Sequence, residues 1–170
     1  MGYTASEIDD IQAGWRLRFP PDLVALLRER RRPLEGPGAF DWIKGDPDMI
    51  RARLDWPLET FWFDVEHNGV WWADWGEKPA AVADQRAVFV AALDRAPRLI
   101  PLFGHRYIAE EPHESGNPVF SVHQSDIICY GANLADWLTR ERDGYDAAPW
   151  PPIKTIRFWS QALQRNNAVP

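Results

Sequence analysis

A chain of 170 residues is long enough for one domain that buries roughly two thirds of its unfolded surface, and short for two. With 45% apolar and 26% charged residues its composition is ordinary for a globular protein, so no disulfide or metal staple is required for folding. A net charge of −6 argues against a nucleic-acid backbone as partner, which needs clustered cations, and favours a partner that is itself basic.

The opening "MGYTASEIDD" has neither the charged nor the apolar region of a signal peptide. No apolar run approaches the ~18 residues of a membrane span, so no membrane partner and a cytoplasmic address are expected. Ser6 with Asp9 predicts a helix start that leads through Ile8, Ile11 and Trp15. A stronger helix follows in "FPPDLVALLRER": Pro21 suits the first helical position, Asp22 the first turn, and Leu23, Leu26 and Leu27 form a stripe. Arg28 to Arg32 would end it as cations complementing the helix dipole. "RRPLEGPGAFDW" is a loop by its Pro and Gly content, and Asp46 then caps a short helix with Ile50 and Leu54 inward.

"WPLETFWFDVEHNG" admits two readings. Leu58, Phe61, Trp62 and Val65 have helical spacing, whereas Phe61, Phe63 and Val65 alternate as in a strand. Pro57 at a first position, Glu59 in the first turn and the Asn68-Gly69 stop favour the helix. The next helix, near 80–95, aligns Val82, Arg86, Phe89 and Leu93. "RLIPLF" is extended, with Pro101 at an edge or bulge because it cannot donate to a ladder. Residues 119–124 and 127–130 read as a tight hairpin, Asn133 as the cap of the helix "LADWLTRER", and "IRFWSQAL" as a terminal helix. Strands at 98–103, 119–124 and 127–130 then form one mostly antiparallel sheet with helices near 21–31, 80–95 and 132–142 packed on it. The fold class is α+β, one domain over 1–170.

Several stretches carry candidate chemistry. Ser121, His123 and Asp126 fall within six positions and suggest a hydrolase trio. Ser121, however, sits in a strand without a strained turn or an oxyanion donor, and Asp126 suits the turn of a hairpin. The expectation is a hairpin with no catalytic role for Ser121. His67, His105, His113 and His123 have no metal-ligand spacing and Cys129 stands alone, so no metal and no cofactor are expected. Paired carboxylates such as Asp64 with Glu66 read as solvated faces. Two aromatic-rich stretches remain. "VWWADWG" places Trp71, Trp72 and Trp75 beside Asp74, and "GHRYI" supplies His105, Arg106 and Tyr107; Trp, Tyr and Arg dominate binding hot spots. These seven are the candidate binding residues, against the alternative that the tryptophans are core and that Arg106 and Tyr107 buttress the fold.

The same stretches carry a resemblance. "FPPDLVALLRER" is similar to the helix opening of the SUKH superfamily, the Smi–Knr-type cell-wall regulators and bacterial immunity proteins. The order "WPLETFWFDVEHNGVWWADWG", "RLIPLFGHRYI", "GNPVFSVHQSDIICYG", "LADWL", "IRFWSQAL" resembles the bacterial branch over about residues 15–165. "RERRRPL" departs from the Asn-Gly that often follows the opening helix. The resemblance implies an α+β fold without enzymatic activity, and in bacterial members the neutralisation of toxins, often nucleases. The expected function is an immunity-type protein that binds a basic toxin domain. A regulatory scaffold of an endogenous pathway is the alternative, and an enzyme built on His105, Arg106 and Asp126 a third.

Overall fold

The computed structural model describes residues 1–165. Six α-helices and a four-stranded antiparallel sheet lie among them, in the order α1 (Ala5–Trp15), α2 (Pro21–Glu29), α3 (Pro47–His67), α4 (Val82–Leu93), β1 (Leu99–Phe103), β2 (Arg106–Ala109), β3 (Val119–His123), β4 (Asp126–Gly131), α5 (Leu134–Asp143) and α6 (Trp159–Arg165). The strands run β1-β2-β3-β4 across the sheet. This is the expected α+β class, with one strand more than the sequence suggests, since the "GHRYI" stretch enters the ladder between the predicted strands as β2. Pro101 lies in edge strand β1 beside a bulge. Because Arg98 O accepts from Glu110 N at 3.0 Å, alternation turns the backbone of Pro101 to the free edge, where no donor is needed.

Both faces of the sheet are covered, so its strands read as apolar runs. One face buries Ile100, Leu102, Ile108 and Val119 with Ile8, Ile11, Leu23 and Leu27 of the first two helices and Trp137 of α5. The other buries Leu99, Tyr107, Phe120, Val122, Ile127 and Cys129 with Phe61 and Val65 of α3, Phe89 of α4 and Trp159 and Leu163 of α6. Each such side chain contributes about 1.5–3 kcal/mol when removed from water. Gly131 lets α5 approach β4, because a Cβ there would lie 2.5 Å from Trp137 Cβ.

Several expectations change in detail. The first helix is capped by Thr4, two residues before Ser6: its hydroxyl accepts from Glu7 N at 3.1 Å while its N–H donates to Glu7 Oε2 at 2.7 Å. Only Arg28 of the arginine run lies in the last turn of α2. Arg31 turns back instead, bonding Glu7 at 2.5 Å and stacking 4.5 Å over Tyr3. Of the aligned residues of α4, Phe89 is buried and Val82 is 50% exposed.

The largest difference concerns Pro57. The short helix after Asp46 and the ambiguous segment after it are one 21-residue helix with Pro57 inside. A proline there removes the N–H that would bond the Arg53 carbonyl. The Tyr107 hydroxyl donates to that carbonyl at 2.9 Å, so a side chain from β2 supplies what the helix lacks. Burial raises the Tyr107 pKa, keeping the hydroxyl protonated as the donor.

Candidate functional site

In "VFSVHQSDIICYG" the hairpin forms as β3 and β4, with Asp126 opposite His123 as the first β4 residue. Ser121 is buried at 7% exposure, and its hydroxyl accepts from Arg106 Nη1 at 2.9 Å. Among the described residues no hydrogen bond joins Ser121 to His123 or Asp126, so the three do not form a proton relay. Gln124 takes a left-handed conformation at the turn (φ 58), and the next residue is fixed from below. Ser125 donates to Asp64 Oδ2 through both its N–H (2.8 Å) and its hydroxyl (2.5 Å), and Asn68 donates to Oδ1 at 2.6 Å.

Asp64 is therefore no solvated carboxylate. It is buried, at 6% exposure, between α3 and the hairpin turn. Desolvation alone would raise its pKa, but the bonds from Ser125 and Asn68 and the nearby His123 outweigh it and leave the pKa below the ordinary value.

The three consecutive residues of "GHRYI" go to three environments, because a strand alternates its faces. His105 is exposed in the β1–β2 turn. Arg106 lies on one sheet face, donating to Glu141 at 2.6 Å and lying 3.6 Å above the Tyr130 ring. Tyr107, at 1% exposure, lies on the opposite face and has no surface to offer a partner. Among the described residues no hydrogen bond or ion pair joins His105, Arg106 and Asp126, and no group of three or more His, Cys, Asp or Glu side chains is placed to hold a metal. Cys129 is buried, and burial pushes its thiol up to about 11, away from thiolate reactivity.

Trp71, Trp72 and Trp75 surround a short 3-10 turn, Ala73–Trp75, and are half-buried against the second core. Trp72 lies 5.2 Å from Phe61 and 5.0 Å from Phe158, and Trp75 lies 5.8 Å from Phe89. Their outer sides are engaged too: Arg165 lies 4.1 Å over Trp72 and pairs with the exposed Asp74, and Lys78 lies 5.8 Å over Trp71. The cluster is a lid on the core with its cation–π positions filled from within the chain.

A different aromatic surface lies on α3. Trp56, Thr60, Phe63 and His67 are spaced to share one helical stripe, and Trp56 (39%) and Phe63 (46%) are among the exposed large apolar side chains. The Phe63 and His67 rings are 4.6 Å apart, Trp56 lies 6.5 Å from His123, and His123 lies 6.5 Å from His105. Trp56 is oriented by its indole N–H, which donates to Val122 O at 3.1 Å. Around the stripe Glu66 meets only His67, at 3.5 Å, and Asp126 has no cation within ion-pair distance among the described residues. Placing a helix start at Pro57 hides this surface in the sequence, because it separates Trp56 from Phe63. The seven-residue spacing between them is the signal that reveals it.

Compared with known proteins, the chain matches no family model, no curated protein and no solved structure.

Proposed function

We propose that the chain is a cytoplasmic, non-enzymatic protein-binding domain of the SUKH kind, an immunity-type protein that covers a basic toxin domain. One observation carries this reading: the exposed stripe of Trp56 and Phe63 on α3, with Trp56 oriented by the Val122 carbonyl and Glu66 on the same helix. Aromatic side chains fixed before binding lose little freedom on binding, and they dominate interface energetics. Asp126 and Glu66 at the border would meet a basic partner, and the net charge of −6 would steer it. Trp72 and Trp75 contribute as support behind the stripe through Phe61 of the same helix, and Trp71 packs on Trp75.

The test is affinity capture from the native organism with the wild-type chain and with a Trp56→Ala/Phe63→Ala double variant, the captured proteins identified by mass. A basic protein retained by the wild type and lost from the folded variant supports the reading. A basic toxin among the captured proteins supports the immunity role, and an endogenous pathway component supports the scaffold role. Identical capture by both chains overturns the assignment of the surface.

A further inference from the structure

A cavity of about 350 Å³ opens beside the stripe, between α3, the β1–β2 turn and the loop before α3. Its walls include Gly38, Met49, Arg53, Trp56, Gly104 and His105. The turn is held on both sides, since Gly104 N donates to Gly38 O at 2.9 Å and Gly104 O accepts from Arg53 Nη1 at 3.0 Å. A Cβ on Gly38 would lie 2.8 Å from Gly104 N, so the close approach of these two backbones requires glycine there.

The walls are apolar but for one permanent cation. Arg53 spends Nη1 on Gly104 and Nε on the Met49 sulfur at 3.0 Å, and it stacks 5.0 Å from the Phe40 ring. Among the described residues no carboxylate pairs with Arg53, and Nη2 makes no hydrogen bond. In a chain with 25 acidic and 19 basic side chains, a half-buried guanidinium without a carboxylate is out of keeping with its surroundings. Partial desolvation, then Arg106 and His123, lowers the His105 pKa, so the imidazole adds no charge at neutral pH.

We propose that this cavity binds a small aromatic carboxylate, its ring against Trp56 and Met49 and its carboxylate on the free edge of the Arg53 guanidinium. The volume lies at the small end of the ~300–1,000 Å³ usual for ligand cavities, which suits one ring with a short acid arm and excludes a dinucleotide. The planar fork of arginine matches a carboxylate, and the thioether and indole favour an aromatic body over a bare anion. The proposal does not rest on the protein-binding reading.

The experiment is a titration of the 15N-labelled chain with phenylacetate, phenylacetamide and acetate, followed by amide shifts. Phenylacetate should move Gly38, Gly104 and the Trp56 indole N–H with saturation. Phenylacetamide and acetate should each bind roughly tenfold or more weakly, the factor expected for one charge-assisted bond. Arg53→Gln should reduce phenylacetate to the level of the amide. Ala52→Leu, which adds bulk to the cavity wall without touching the cation, should weaken both aromatic probes. Equal binding of anion and amide, shifts confined to Arg28–Arg32, or no saturable shift in the folded wild type would each overturn the proposal.

Discussion

Two groups of tryptophan and phenylalanine lie on the same helical framework and have opposite surroundings. Trp72 and Trp75 are packed among Phe61, Phe89 and Phe158, and Arg165 and Lys78 cover the outer side of their cluster. Trp56 and Phe63 are exposed on α3, and among the described residues no arginine or lysine stacks over either ring. The first group has spent its contact capacity within the chain, whereas the second has not. Residue type alone, then, does not mark a binding surface. What marks it is whether the neighbouring elements have already used the ring faces.

Mutation can break this contrast, and the largest effect is expected in the packed group. Trp72→Ala should destabilise the fold by about 3 kcal/mol, the low end for large core truncations because the ring is half-buried. Chemical denaturation measures it, and a loss under ~1 kcal/mol would return Trp72 to the surface. Next is the carboxylate that holds the hairpin beneath the exposed group. Asp64→Ala should cost about 1–3 kcal/mol, because it leaves the half-buried donors of Ser125 without their acceptor. The same group predicts acid sensitivity. The folded-state pKa of Asp64 is depressed, so its contribution is complete above the unfolded value near ~3.9 and is lost as pH falls through the folded value. Denaturation midpoints of wild type and Asp64→Asn should therefore converge as pH drops below about 4. Tyr107→Phe should cost about 1–3 kcal/mol by leaving the Arg53 carbonyl unpaired. The smallest stability effect belongs to the exposed stripe, where Phe63→Ala should stay within about 0.5 kcal/mol of wild type while partner affinity falls by about 2 kcal/mol or more. Calorimetry of both quantities on one sample sharpens the contrast, and a large stability loss at Phe63 would erase it.

Much of the fold was legible because its signals are local. Pro21, Asn133 and the Leu23–Leu27 and Leu134–Trp137 stripes mark α2 and α5 without outside help. Pro101 was readable as an edge residue because its missing donor restricts it wherever it occurs. The β2 strand was not, since Arg106 and Tyr107 resemble binding residues until their pairing with Ser121 and Phe120 places them on opposite faces. Asp64 resembled a solvated partner of Glu66 because Ser125, which donates to it twice, lies in a hairpin 61 residues away. The exposed stripe was hidden for the same reason as the length of α3. Proline reads as a boundary in sequence, and only a distant hydroxyl makes it an interior residue.

That hydroxyl also bears on how the chain assembles. Helix growth normally proceeds by adding one backbone bond per residue. In α3 the propagation meets a gap at the Arg53 carbonyl, and the group that closes it belongs to a strand 54 residues further along. The amino-terminal half of α3, with Ile50, serves one core, and the carboxy-terminal half, with Phe61 and Val65, serves the other. The helix therefore acts as a latch. It becomes one rigid rod when the sheet has formed beneath it, so the two cores are set to melt in a single transition.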